Sequence, residues 1–312
     1  MKGILLIRGG AIGDFICTLP IAAELKRALP ETPLALVAYD RVLPLARASG
    51  LFSESRSIES RGFAGFFADR GELDPEWMEF IGGFGVVLSM LYDPDRILEA
   101  NLKRCEVRDV HSLDPRPDGS RHACEHLASI LQRIGIFPER VAPAFRLEGK
   151  TSSFDVAVHL GSGSEKKNWS LDNWRDVLGF LAAHDLRVAA LAGEADQERV
   201  DALSSALAAP GTTLFRNRPL LEVGQVLQGV RVFVGHDSGI THLAAALGAP
   251  ALALFGPTDP AVWGPLGARA RVLRGNKIWT RGEGPSAESA ISVDENSPEL
   301  VKAQLTQILG IE

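Results

Sequence analysis

The sequence predicts an α/β protein with parallel sheets in two domains, on three observations. Short apolar runs alternate with longer stretches of helical period from end to end, as in βα units. The chain has 312 residues, more than the roughly 250–300 that one core usually serves. In the second half, strand after strand runs directly into a loop of small residues, the way strands end in open parallel sheets.

Strands are expected at 3–7, 34–38 and 85–89 in the first half. A helix over 15–29 follows the first of them, with Ile16, Leu19, Ala23 and Leu25 on its buried stripe, and Pro20 is expected to kink or restart it. Segment 59–83 is irregular and aromatic (Phe63, Phe66, Phe67, Trp77, Phe80). It reads as a hydrophobic helical insertion on the sheet edge, with the lining of a substrate entrance as the alternative. In the second half the strands are expected at 155–159, 187–191, 231–234 and 251–254, with helices at 171–184, 198–208, 219–228 and 241–247. Segment 140–153 has no strong period and sets the boundary. The expected domains are 1–150 and 151–297, followed by a tail, 298–312, whose helix is free to return to the first domain.

Composition excludes several functions. With 39 Asp+Glu against 33 Lys+Arg and a net charge of −6, the chain does not suit a general nucleic-acid binder, which needs clustered cations. Cys17, Cys105 and Cys124 form no C-x-x-C pair, so neither a disulfide framework nor a zinc site is expected, and a reducing cytoplasm fits. Arg8 and Asp14 interrupt the first apolar run before a signal-peptide core forms. The longest apolar stretch, 243–256, holds Gly248 and Pro250 and falls short of the about 20 residues that span a bilayer. The expectation is a cytoplasmic chain, with peripheral contact at a membrane surface left open.

Four loops then point to chemistry: 159–164 with Gly161, Ser162, Gly163 and Ser164; 191–194; 234–239 with Asp237, Ser238 and Gly239; and 254–258 with Gly256. Glycines after strands let backbone amides approach an anion, and the next helix adds positive potential. Four on one edge describe a nucleotide or sugar-phosphate site; singly, each reads as a tight turn. Asp237 or Ser238 suits a helix cap or a phosphate contact, and His242, one turn on, a phosphate donor or a structural hydrogen bond. Lys166 and Lys167 lie just past the first loop, where an ammonium neutralises a diphosphate; Trp169 reads as packing. After the first strand, 8–14 is not G-x-G-x-x-G, so the dinucleotide fingerprint is missing and Asp40 alone keeps a nicotinamide enzyme in view. Asp14, at the start of the first helix, reads as an N-cap or as a general base. No His or carboxylate stands at metal-ligand spacing from His242.

These segments resemble glycosyltransferase family 9, the heptosyltransferases. The resemblance lies in 4–14 with Thr18 and Pro20, in 158–164 with Lys167, Asn168 and Trp169, and in 233–250 with 255–259. It covers nearly the whole chain in family order. It implies the GT-B architecture, two Rossmann-like domains facing across a cleft, the first for acceptor and the second for nucleotide sugar. It implies inverting, metal-independent transfer of a heptose from ADP-heptose to a lipopolysaccharide core or similar lipid-linked acceptor at the cytoplasmic face of the inner membrane, with no cofactor. Asp14 matches the family's catalytic aspartate and Lys167 its lysine. Asp237, Ser238, Gly239 and His242 match the phosphate-binding segment, and Gly13 and His122 fall on the acceptor side. For the ribose, Glu194, Asp196 and Glu198 are available, with Asp196 preferred. The first domain has no run of cations; Arg96, Arg104, Arg108, Arg116 and Arg121 are the residues available to line one face. A GT-B enzyme for another nucleotide sugar, or a non-catalytic sugar-nucleotide module, is the alternative; retention of both Asp14 and Lys167 weighs against the latter.

Overall fold

Strand β1 (Gly3–Arg8) is buried along its whole length, which its unbroken apolar sequence requires of a central parallel strand. The computed structural model describes residues 2–149, 153–280 and 290–311. Around β1 lie β2 (Leu34–Ala38), β3 (Glu54–Ser57), β4 (Phe84–Met90) and β5 (Asp109–Ser112) in the order β3-β2-β1-β4-β5, all parallel. The second sheet is built from β6 (Val156–His159), β7 (Val188–Ala192), β8 (Thr212–Arg216), β9 (Val232–His236), β10 (Ala251–Leu254), β11 (Ala270–Arg274) and β12 (Lys277–Thr280). Its order is β12-β11-β10-β9-β6-β7-β8, with only the β11–β12 pair antiparallel. Both sheets reverse direction beside their first strand, between β1 and β4 and between β6 and β9. Open α/β sheets bind ligands at such switch points, outside the carboxyl ends of the strands.

The chain divides into two compact units, Met1–Pro143 and Ala144–Glu312. The boundary therefore falls earlier than the expected 150/151. The reason is that 145–147 is already fastened to the second unit: Phe145 N–H donates to Ala246 O (3.2 Å), and the Gln228 amide bonds both Leu147 N–H (2.6 Å) and Leu147 O (3.0 Å). The last helix, Pro298–Leu309, also belongs to the second unit. It buries Val301, Leu305 and Leu309 in the core with Trp169, Trp174 and Val188.

Three local expectations change. The first helix runs Ile12–Ala28 without a break at Pro20. The 198–208 helix is two short ones, Gln197–Ala202 and Ser204–Leu207. The aromatic segment is no insertion: it is the β3-to-β4 crossover, with Phe63, Phe66 and Trp77 buried beside Leu5, Ile7 and Val87, which removes the entrance-lining alternative for those three rings.

Candidate active site

The four small-residue loops follow β6, β7, β9 and β10, and these strands are consecutive in the second sheet. All four loops thus open at one edge, around the switch point between β6 and β9. There the Lys167 ammonium donates to Asp237 Oδ2 (2.7 Å), and Thr258 Oγ1 donates to the same oxygen (2.7 Å). Asp237 is buried while Lys167 is 29% exposed. Asp237 is therefore neither helix cap nor open donor contact; it positions Lys167. The cap is Ser238, from which the helix Gly239–Ala246 starts two residues earlier than expected. Ser238 makes no side-chain cap bond, and the Thr241 and His242 amides turn back to Ser238 O. The Gly239 and Ile240 amides lie in the first turn of that helix, where the dipole favours an anion. His242 is buried in the first turn.

Behind this edge two strand-end histidines tie the loops together, and neither was singled out by sequence reading. His236, wholly buried, accepts from Trp169 N–H at Nε2 (2.9 Å) and donates from Nδ1 to Gly161 O (3.1 Å). Burial pushes its pKa down to about 3, so the ring is neutral, as one donor and one acceptor require. His159 lies 3.4 Å from Ser238 Oγ and 3.6 Å from Asp196 Oδ2. Burial holds it below its ordinary value despite that carboxylate. Their signal in the sequence was only a polar residue closing an apolar strand.

Two expected donor contacts are corrected. Asp196 is 3% exposed; Oδ2 accepts Gly193 N–H (2.8 Å), and a Cβ on Gly161 would come within 1.6 Å of Oδ1. Asp196 is a buried brace between the β6 and β7 loops, and Gly161 is glycine to admit it. Glu194 and Glu198 are the exposed carboxylates of that loop. Gly256 is buried too, and a Cβ there would lie 2.6 Å from Val293 N; it makes room for Val293, not for a ligand. Ser162 and Ser164 shape their loop, with Ser162 Oγ donating to Ser164 O (2.9 Å), while Gly163 sits at φ +75 facing open space. Trp169 is buried, its Nε1–H donating to Asn296 O (2.9 Å), the packing role expected of it.

In the first unit the β1 loop makes its own arrangement. Ala11 is the helix N-cap and Asp14 stands three residues into the helix, so Asp14 is not the cap. Its Oδ2 accepts Ala11 N–H (2.7 Å) and its Oδ1 accepts from Arg8 Nη2 (2.7 Å). Arg8 is buried and also donates from Nη1 to Met90 O at the end of β4 (3.0 Å). Burial pushes the Arg8 guanidinium below its ordinary value, and the Asp14 charge pulls back against it. The result is a carboxylate fixed at both oxygens yet 32% exposed, at the switch point. Gly13 lies beside it in the first turn, partly buried. His122 caps the helix Ala123–Ala128, its Nδ1 accepting Cys124 N–H (3.1 Å). The five arginines do not line one face: Arg96, Arg116 and Arg121 follow β4 and β5, whereas Arg104 and Arg108 precede β5 at the opposite edge. Among the described residues no three His, Cys, Asp or Glu side chains gather as a metal site, and no helix is long and apolar enough to cross a membrane.

Two Rossmann-type units, the second with an anion-ready switch point, are the GT-B class of glycosyltransferase. The family model for glycosyltransferase family 9 (heptosyltransferase) matches residues 134–287. Lipopolysaccharide heptosyltransferase 1 of Salmonella typhimurium LT2 is 35% identical over 312 aligned residues, covering 85% of this chain and 91% of that one. The Escherichia coli O18:K1:H7 protein of the same name is 31% identical, covering 88% and 93%. Among solved structures, a family 9 glycosyltransferase of Veillonella parvula has a TM-score of 0.75 at 17% identity, covering 99% of this chain and 98% of that one. E. coli heptosyltransferase WaaC with ADP has 0.73 at 18%, covering 98% and 99%. The chain belongs to glycosyltransferase family 9 and is a glycosyltransferase.

Proposed function

We propose that this enzyme transfers a heptose from ADP-heptose to a lipopolysaccharide core acceptor, with inversion and without a metal. The observation that carries the donor half is the convergence of Lys167, braced by Asp237 and Thr258, with the Gly239 and Ile240 amides at the β6–β9 switch point. The relatives named lipopolysaccharide heptosyltransferase 1 support heptose and the acceptor class. A heptosyltransferase structure with ADP supports the nucleotide.

In the reaction, the acceptor hydroxyl oxygen attacks the anomeric carbon from the face opposite the nucleotide, and the bond from that carbon to the diphosphate breaks. Asp14 takes the hydroxyl proton, general-base help worth about 10²–10⁴-fold. The Arg8 and Ala11 bonds hold the carboxylate still for this step. ADP leaves with the negative charge it gains, which Lys167 and the helix amides stabilise. With Asp196 buried, the ribose hydroxyls fall to Glu194 or Glu198. The enzyme works at the cytoplasmic face of the inner membrane.

Thermal protection by nucleotides tests the donor, because a ligand of the native state raises Tm. ADP is expected to protect and UDP not to; the reverse overturns the ADP-heptose reading. Turnover is expected to survive EDTA, and a strict requirement for added Mg²⁺ or Mn²⁺ overturns the metal-free mechanism.

A further inference from the structure

Of the exposed large apolar side chains among the described residues, Tyr92 is the one on a switch-point loop of the first sheet, 56% exposed. The β1 and β4 loops touch there: a Cβ on Gly9 would meet Leu91 Cδ2 at 2.7 Å, and Arg8 bonds both Asp14 and Met90 O. Tyr92 follows two residues after Met90, so its ring belongs to the same edge as the Asp14 carboxylate. One face of the ring is covered by Arg116, whose guanidinium carbon lies 3.8 Å from the ring centroid. Arg116 is itself locked, with Nε 3.0 Å from Asp114 Oδ1 and Nη2 2.7 Å from Asp114 Oδ2. The Asp114 carbonyl is in turn bonded to His126 Nε2 (2.7 Å).

We propose that Tyr92 is a stacking platform for a pyranose ring of the glycan acceptor, held flat by Arg116 and Asp114. This rests on the reading that the first unit takes the acceptor. A guanidinium on one side of a ring leaves the other face open, and a negative π face attracts the weakly positive C–H edge of a sugar. Asp114 neutralises Arg116, so the platform recognises an uncharged sugar face and not an anion. Its contribution is therefore insensitive to salt, unlike capture of a phosphorylated glycan by free arginines.

The test is titration of deacylated lipopolysaccharide core oligosaccharide into wild type, Tyr92→Ala and Tyr92→Phe at low and high salt, with ADP affinity as the folding control. Tyr92→Ala is expected to weaken oligosaccharide binding about tenfold at both salt concentrations, roughly the worth of one well-packed aromatic contact. Tyr92→Phe is expected to stay within about twofold, and ADP affinity to be unchanged in both. Tyr92→Ala binding as wild type does, or a wild type that binds no glycan, overturns the platform. Binding through Tyr92 in a protein that never consumes ADP-heptose overturns the donor reading and leaves the platform standing.

Discussion

Asp14 shows how a single position acquires two jobs. At the third residue of its helix it bonds the N-cap amide, and it also neutralises the buried Arg8. Asp14→Asn keeps an oxygen for Ala11 but sets an amide against the guanidinium. Turnover is expected to fall at least about 10²-fold, with ADP affinity within a few-fold of wild type. Stability is expected to drop by about 1–3 kcal/mol, since Arg8 loses its charged partner. Steady-state kinetics, ADP titration and urea unfolding on one variant check all three, and an active Asn variant sinks the base assignment. His236 carries a pH prediction. Its folded pKa of about 3 lies below the ordinary value of 6.5, so the unfolded chain binds the proton more readily. Stability from this residue is complete above about pH 6.5 and is lost as pH falls toward 3, by about 2 kcal/mol between pH 7 and 5. His159 acts in the same direction. A Tm that stays flat over that interval contradicts the neutral, buried state of both rings.

The glycine loops look alike in sequence but differ in what they tolerate. Gly161→Ala drives a methyl to 1.6 Å from Asp196 Oδ1 and is expected to cost about 2–4 kcal/mol through overpacking and a displaced buried carboxylate. Gly163→Ala meets open space and only the strain of its positive φ, about 1 kcal/mol. Denaturant midpoints for the two variants give the ranking, and equal losses contradict the Asp196 brace. Lys167→Ala removes the ammonium and one of the two side-chain donors to Asp237. It is expected to weaken ADP binding about tenfold or more and to slow turnover as well, because its charge meets the diphosphate before and during bond breaking. Strands β1, β2, β4, β6, β7, β9 and β10 were legible because parallel strands buried on both faces must be continuously apolar, whereas the interior strand β11, broken by Arg271 and Arg274, was not. The edge strands β3, β5 and β8 were not: Glu54–Ser57 and Asp109–Ser112 are mostly polar, and pairing along one side only sets no hydrophobic pattern. Of the site, Lys167 and the Ser238 helix start were readable as a strand–loop–helix pattern. The buried status of Asp196 and Gly256 was not, because it depends on Gly161 and Val293, segments distant in sequence.

At the scale of the whole chain, two doubly wound sheets repeat one plan with different chemistry at their switch points. The first fixes a carboxylate with a buried arginine. The second presents an ammonium and helix amides with histidines held neutral behind them. A fixed, part-exposed carboxylate on one sheet and an ammonium beside a helix N-terminus on the other are the groups that the proposed transfer uses, and the net charge of −6 makes general attraction to an anionic acceptor a poor basis for binding it. Recognition must then be local, as at Tyr92. Heptosyl transfer from ADP-heptose is decided by mass spectrometry of deacylated core oligosaccharide incubated with enzyme and ADP-heptose, beside parallel incubations with UDP-sugars. The predicted result is an oligosaccharide heavier by one heptose residue and one ADP released per transfer, with no product from the UDP-sugars; an unchanged oligosaccharide, or extension only from a UDP-sugar, would contradict it.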